Sequence, residues 1–457
     1  MNEDTICAIA TAQGGALGII RVSGPQAIPL TSAIFRPAQA GKRLEEALPR
    51  SLTFGHIVEG EDVVDEVLVS VFRAPHSYTG ENATEITCHG SPYILQRTLQ
   101  LLIGHGARLA QPGEYTRRAF LHGKMDLSQA EAVADLIAST SAAQHRLAMN
   151  QMRGGFSREL GKLRDQLLHL TSLMELELDF SDHEELEFAD RSELQALASQ
   201  IEQLISRLTD SFATGNALKN GIPVAIIGET NAGKSTLLNA LVGEERAIVS
   251  DIHGTTRDVI EDTVNIDGAT FRFIDTAGIR QTHDTIENLG IERSFRAMSQ
   301  AQIVILVCDI TEDESRFQAF YKQVLPHLAD KQVILALNKC DLADALRFTP
   351  PAGVQVLPLS AKQGIRIDRL RSLLAESAHL PRISQADVIV TNVRHYEALS
   401  RALASIRRVQ AGLSTGLSGD FISQDLRECI FHLSDIVGEV TTDEVLGNIF
   451  RNFCIGK

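Results

Sequence analysis

No run of apolar residues in this chain approaches the roughly 18 that a membrane-spanning helix requires, so no membrane association is expected. The first residues, Met1-Asn-Glu-Asp4, put no basic start ahead of an apolar stretch, and a secretory signal is not expected. Cysteine is scarce and scattered: the six fall singly at 7, 88, 308, 340, 429 and 454. Without a Cys-x-x-Cys pair, neither a zinc site nor a disulfide framework is indicated, and a reducing, cytoplasmic compartment fits. Positive charge is in deficit, with 43 Lys and Arg against 58 Asp and Glu and a net charge of −15. That balance opposes a broad basic surface for nucleic acid, and leaves room for a local basic patch or a basic partner that holds RNA. What is present, 44% hydrophobic and 22% charged residues over 457 positions, is the mix of a soluble globular protein of about three domains.

The chain reads as three parts. Residues 1–118 form a mixed α/β unit with short β-rich runs at 6–9, 17–22 and 67–72 and a helix over 92–103. Residues 119–214 are helical, since Leu160, Leu163, Leu167, Leu170 and Met174 step by three and four. Leu194, Leu197, Ile201, Leu204 and Leu208 repeat the step, with Ser192 and Gln195 as a capping box. The step returns at Leu399, Ala402, Ile406, Val409 and Leu413, so 382–457 is read as the second part of the same helical domain, the three stripes packing together. Between them, 215–381 alternates strands and helices, with buried strands expected at 224–227, 271–274, 303–308, 333–337 and 354–359. This pattern predicts a mostly parallel, doubly wound sheet inserted into the helical domain. Residues 214–221 read as the linker that leads into it. Eight acids and no Lys or Arg lie between 175 and 190, which reads as a solvated acidic loop.

Residues 228–235, Gly-Glu-Thr-Asn-Ala-Gly-Lys-Ser, follow a strand and open a helix. Gly228 and Gly233 let the backbone turn tightly around a polyphosphate, Lys234 can reach the outer phosphates, and Ser235 offers a hydroxyl to Mg²⁺. The helix N-terminus favours anions. Asp275-Thr-Ala-Gly278 follows another strand, where a carboxylate can hold Mg²⁺ and Gly278 can bring its N–H to the terminal phosphate. In Gly254-Thr-Thr-Arg-Asp258, Thr256 is the candidate second hydroxyl on Mg²⁺. Asp341 of Asn338-Lys-Cys-Asp341 can accept both donors on the edge of guanine, and adenine lacks that pair. Ser360-Ala-Lys362 lies one strand later, where a backbone N–H could meet the guanine oxygen. The order of these motifs, each at a strand end, predicts a GTP hydrolase. The position that holds a water-orienting Gln in Ras-like enzymes is Ile279, which cannot serve. Arg257, Arg280, Glu287 and Glu292 are nearby alternatives, and each also reads as an ordinary surface charge.

These motifs, with the tail Cys454-Ile-Gly-Lys457, Ser77-Tyr-Thr-Gly-Glu81, His89-Gly90 and the run from Pro112 to Leu127, resemble the MnmE/TrmE family of tRNA-modifying GTPases along essentially the whole chain. The resemblance implies an N-terminal α/β folate-binding domain that mediates homodimerisation, a discontinuous helical bundle, and an inserted Ras-like doubly wound P-loop G domain. It implies nucleotide contacts at Asn231, Ala232, Gly233, Lys234, Ser235 and Thr236, and at Ser250, Asp251, Ile252, His253, Gly254, Thr255 and Thr256. Further contacts are implied at Asp275, Thr276, Ala277 and Gly278, and at Asn338, Lys339, Asp341, Ser360, Ala361 and Lys362. Besides Mg²⁺ on Ser235 and Thr256, the family uses K⁺, here implied on Asn231, Ser250, Ile252 and Thr255; Ser250 stands where the family pattern has Thr. The water-orienting glutamate matches Glu287. Arg21, Glu85, Lys124 and Lys457 match the contacts to 5-formyltetrahydrofolate or a related folate, while Ala12-Gln-Gly-Gly-Ala16 departs from the family spelling. Cys454 either takes part in the modification chemistry or packs as a small apolar residue at the dimer centre. The implied partners are tRNA and an FAD-dependent protein of the MnmG/GidA type, in a heterotetramer or larger complex that installs a carboxymethylaminomethyl-type group on C5 of the wobble uridine. A ribosome-assembly or signalling switch is the competing reading. It predicts a basic KH-like appendage, and none is evident in 383–457.

Overall fold

The computed structural model describes residues 4–12, 14–179, 191–243, 262–274, 295–343, 349–378, 388–440, 442–451, 453 and 456. The chain divides into two compact units, one of Met1–Ala134, Gln151–Phe188 and Ser418–Lys457, the other of Asp135–Asn150 and Ala189–Leu417. Among the described residues no helix is long and apolar enough to cross a membrane.

The first unit is organised by seven strands: β1 (Ile6–Ile9), β2 (Leu17–Ser23), β3 (Phe35–Pro37), β4 (Leu52–Glu59), β5 (Asp62–Phe72), β6 (Ala83–His89) and β7 (Arg108–Leu109). They lie in the order β3-β4-β5-β6-β2-β1-β7, antiparallel throughout except for the β1–β7 pair. Alternation decides which face is buried: Val67, Val69 and Val71 of β5 point into the core while Leu68 is exposed. Helices α1 (Ala27–Ala33) and α2 (Pro92–Gly104) supply the rest of that core, with Ile28, Leu95 and Leu102 packed among Ile20, Ile57 and Ile86. Pro92 opens α2 at a position where its missing N–H costs nothing. Then come α3 (Glu114–Leu121), α4 (Leu127–Ala138), α5 (Ala142–Met152) and α6 (Gly155–Asp179).

In the second unit, α7 (Arg191–Asp210) and α8 (Phe212–Asn220) lead to a six-stranded sheet. Its strands are β8 (Ile222–Ile227), β9 (Asp262–Ile266), β10 (Ala269–Phe273), β11 (Ile303–Asp309), β12 (Gln332–Asn338) and β13 (Gln355–Pro358). The order is β13-β12-β11-β8-β10-β9, parallel except for the edge hairpin β9–β10, which turns through Asp267 and Gly268, both at positive φ. Helices α9 (Lys234–Val242), α10 (Glu314–Val324) and α11 (Ile367–Ser377) belong to this sheet's two apolar layers. Leu237, Leu241 and Leu370 cover one face with Val224 and Phe271, and Phe317 and Met298 cover the other with Leu306 and Leu337. Helix α12 (Val393–Thr415) and most of α5 belong to this unit, while α13 (Gly419–Val437) and α14 (Asp443–Phe450) belong to the first.

Three sequence expectations need correcting. The expected linker 214–221 is mostly helix α8, because Leu218 is buried and Gly215 sits so close to the returning chain that a Cβ would lie 2.0 Å from the Val390 carbonyl oxygen. At the same place Val390 N donates to Ser211 Oγ at 3.0 Å, so the inserted segment leaves and returns at one point. The buried line of α7 runs through Leu194, Ala198, Ile201 and Ile205 rather than Leu197 and Leu204, and Ser192 lies inside the first turn instead of ahead of it. Finally, the three apolar stripes do not share one partner. Helix α7 packs on α12, whose Leu399, Ala402, Ile406, Val409 and Leu413 are all buried. Helix α6, with Leu160 to Met174 buried as expected, packs instead on α13 through Ile422, Leu426, Cys429 and Leu433. The acidic stretch beyond residue 179 lies outside the described residues.

The first unit also buries an ionic network. Arg118, 7% exposed, donates to Asp4 Oδ1 at 2.6 Å, Glu81 Oε1 at 3.0 Å and Glu114 Oε1 at 3.0 Å. Arg108 adds bonds to Asp4 and Glu114, both at 2.7 Å. The Arg108 hydrogen bond holds the Asp4 carboxyl below its usual range; burial alone would raise Glu114, but the arginines more than offset it. We expect Arg118→Ala to cost about 2 kcal/mol, read as a lower urea midpoint at pH 7, because it removes a buried guanidinium that bonds three partly buried carboxylates. Both folded pKa values are depressed, so this contribution is present above the unfolded carboxylate range and fades as pH falls through the folded values. The gap between wild type and variant therefore narrows below about pH 4.

Candidate functional site

The phosphate-loop sequence lies between β8 and α9. Gly228 must be glycine, since a Cβ there would stand 2.2 Å from the Val307 carbonyl oxygen on the adjacent strand. Gly233, at φ 97°, caps α9 in the left-handed region, and a Cβ on it would reach within 2.1 Å of Asn338 Nδ2. Asn231 also adopts positive φ, 65°, the conformation asparagine tolerates better than most residues. The Lys234 ammonium folds back on the loop, donating to the carbonyl oxygens of Gly228 at 2.7 Å and Glu229 at 2.8 Å. Burial lowers its pKa, with the nearby Glu229 charge working the other way.

Asn338, the last residue of β12 and 3% exposed, joins two loops that are far apart in sequence. Its Nδ2 donates to the Ala232 carbonyl at 2.8 Å, and its Oδ1 accepts from Ala361 N at 3.0 Å. One amide thereby fixes the phosphate loop against the loop after β13. That second loop is closed by the paired backbone bonds of Ser360 and Ile365, at 3.2 and 3.0 Å.

Between these loops opens a cavity of about 510 Å³, within the range of small-molecule sites. Of the expected residues, Asn231, Gly233, Lys234, Ser235, Thr236, Asn338, Lys339, Asp341, Ser360 and Lys362 line it. Ala232 and Ala361 lie behind the wall, buried and bonded to Asn338. Leu342 lines the cavity too, and sequence reasoning did not mark it. Residues Ser250 to Thr256, Asp275 to Gly278 and Glu287 lie outside the described residues, as do Arg257, Arg280 and Glu292. The oxygen-rich wall, with an amide at Asn231 and a hydroxyl at Ser235, has the donor chemistry of a site for hard cations and phosphate.

A second, smaller cavity of about 130 Å³ lies in the first unit, lined by Arg21, Ser23, Phe72, Ser77, Tyr78, Thr79, Ala83 and Glu85. Arg21 and Glu85 face each other across the β2–β6 register, with Nε to Oε1 at 2.9 Å. The guanidinium also lies over the rings of Tyr78 and Tyr115, at 5.5 and 5.6 Å, and donates to the Gly456 carbonyl at 3.3 Å. Ser77 Oγ is buried without a hydrogen-bond partner among the described residues. Lys124 is not in the lining; its Nζ donates to the Pro75 carbonyl at 2.9 Å. Cys454 and Lys457 lie outside the described residues.

Residues 5–124 match the family model described as the GTP-binding protein TrmE N-terminus, and 127–454 match the MnmE helical domain. A protein of Parabacteroides distasonis named tRNA modification GTPase MnmE is 67% identical over 459 residues, covering 99% of this chain and 100% of the relative. The protein of that name in Bacteroides thetaiotaomicron is 64% identical over 466 residues, covering 100% of both. A more distant relative of the same name, from Porphyromonas gingivalis, is 50% identical over 468 residues, covering 100% of this chain and 98% of its own length. With whole-length identity of this order and both family models in register, the chain belongs to the MnmE family of tRNA modification GTPases.

Proposed function

We propose that the 510 Å³ cavity binds GTP and hydrolyses it, and that turnover serves modification of C5 of the wobble uridine in certain tRNAs. The observation that supports this most is the Asn338 junction, which sets a phosphate wall, Asn231 to Thr236, opposite a base wall of Asp341, Ser360 and Lys362. In this reading residues 215–381 are the G domain, 119–214 with 382–457 the helical domain, and 1–118 the dimerising, folate-binding domain.

Lys234 exchanges the Gly228 and Glu229 carbonyls for the outer phosphates, whose charge offsets the cost of burying its ammonium. Asp341 accepts from the guanine ring N–H and amine; adenine would leave that carboxylate unsatisfied. Ser235 and Thr256 would hold Mg²⁺, and Asn231, Ser250, Ile252 and Thr255 would hold K⁺; bound there, the cations would supply positive charge against the phosphates. Glu287 holds the attacking water in line, in place of the Gln that Ile279 replaces. The water oxygen bonds to the γ-phosphorus while the bridging oxygen leaves with GDP.

Arg21, Glu85, Lys124 and Lys457 hold 5-formyltetrahydrofolate or a related folate, which supplies the one-carbon unit. The small cavity suits one ring of such a molecule, and the unpartnered Ser77 hydroxyl offers it a hydrogen bond. Cys454 lies close in sequence to Lys457, at the same end of the chain. The working assembly is a homodimer with an FAD-dependent MnmG/GidA-type partner and tRNA. With a net charge of −15 on this chain, the partner carries much of the RNA affinity.

Phosphate release measured in KCl and in NaCl decides the cation mechanism: turnover is expected to be at least about tenfold faster in KCl, and equal rates would remove K⁺. Glu287→Ala is expected to lower kcat by about 100-fold or more with GTP affinity near wild type; a large loss of affinity would make the residue structural. Asp341→Asn is expected to weaken GTP by about 100-fold and to favour xanthosine nucleotides, because the amide can donate to the oxygen that xanthine carries in place of guanine's amine. Unchanged GTP binding in that titration would overturn the base assignment.

A further inference from the structure

We propose that Asp309 is a positioning residue for the nucleotide: it holds the Lys339 ammonium so that the lysine's methylene stem forms a fixed wall of the cavity. The proposal rests on the guanine-nucleotide reading of that cavity.

Asp309 ends β11 and Lys339 directly follows β12; the parallel register of the two strands pairs Asp309 with Asn338, so the two side chains emerge at one edge of the sheet. Lys339 Nζ donates to Asp309 Oδ2 at 2.6 Å. The carboxylate is itself fixed from its other oxygen, since Asp309 Oδ1 accepts from Thr311 N at 2.9 Å and from Thr311 Oγ1 at 2.7 Å. Lys339 lines the cavity whereas Asp309 does not, so the charged end of the lysine is drawn to a residue outside the wall that its stem helps to make. Other acids stand nearby, but Glu229 is engaged by Arg316. Glu312, raised by burial and by Glu229, is the poorer anion there. Burial would raise Asp309 as well, yet the bonds from Lys339 and Thr311 prevail and keep it ionised.

The backbone points the same way. Lys339 sits at φ 63°, a conformation unfavourable for a lysine and retained where the surroundings over-determine it. A free lysine has many rotamers, and ordering it when ligand arrives weakens binding. The Asp309 bond orders it beforehand. It also neutralises a charge that would otherwise be mobile beside Lys234 and compete for the phosphates.

The test is a fluorescent-GDP titration with stopped-flow release on the full chain, repeated with GTP in competition. Asp309→Ala is expected to raise Kd about tenfold, equally for GDP and GTP, mainly through faster release, with the melting temperature unchanged. Asp309→Asn keeps an oxygen that can accept from Nζ and is expected to lose less. Lys339→Met keeps an unbranched apolar side chain without the charge, and adding either Asp309 substitution to it is expected to change nothing further. The same loss in both lysine backgrounds would mean that Asp309 acts on the fold and not through Lys339, which overturns the proposal. If Asp309→Ala does not fold, Asp309→Asn in the two backgrounds gives the answer. Should the wild-type chain bind no guanine nucleotide, the reading of the cavity falls and this inference with it. Should wild type bind while Asp309→Ala binds equally well, the inference alone falls.

Discussion

A single buried amide holds together the two loops that border the larger cavity. Asn338 spends its donor on the phosphate loop and its acceptor on the loop after β13, and both bonds lie out of reach of water. A buried amide satisfied on both sides is strongly directional, because either loop moving by an ångström would leave a polar group unpaired. The same residue explains Gly233, whose Cα must pass close enough to Nδ2 that no side chain fits. The loop after β8 and the loop after β13 thus share one fixed point, and the parallel strands β8, β11 and β12 set its place.

The residues that line the larger cavity were legible in the sequence because most belong to short contiguous strings behind apolar runs. The strands at 224–227, 303–308 and 333–337 announced themselves as uninterrupted Val, Ile and Leu, the mark of a parallel sheet covered on both faces. What escaped was whatever depends on register or on tertiary burial. Asp309 is one acid at a strand end, and only the alignment of β11 with β12 gives it a partner. Leu342 reads as loop until the cavity is seen. Strand β9, with three polar and two apolar residues, is too short to stand out, although Asp267-Gly268 was a hairpin signal in plain view. Residues 214–221 have a linker's composition and a helix's structure, since burial of Leu218 outweighs local propensity. The stripe on α7 was placed one residue off at two positions, where Ala198 and Ile205 take the inner face.

Beside its apolar core the first unit carries a set of linked charged residues. Arg118 and Arg108 bind the beginning of the chain, the loop at Glu81 and helix α3 into one network, and Arg21 stands between Glu85, two tyrosine rings and the carbonyl of Gly456. Tyr115 ties the two groups together, with its buried ring under the Arg21 guanidinium and its hydroxyl donating to the Arg21 carbonyl at 2.7 Å. Residues near both ends of the sequence therefore meet around one arginine. The small cavity beside it is lined by the same Arg21, Glu85 and Tyr78.

The bond between Ser211 and Val390 has a consequence for how such a chain can change over time. Helices α7 and α12 pair across a segment that departs and comes home at a single pinned neck, so to them the whole intervening domain is a closed loop. The entropy of closing a loop grows with the logarithm of its length, about 0.6 kcal/mol for each doubling, and a segment that folds on its own shortens the effective loop further. The helix pair is therefore nearly indifferent to the size of what it carries. A longer or shorter segment between Ser211 and Val390 would thus cost the packing of these two helices little in closure entropy.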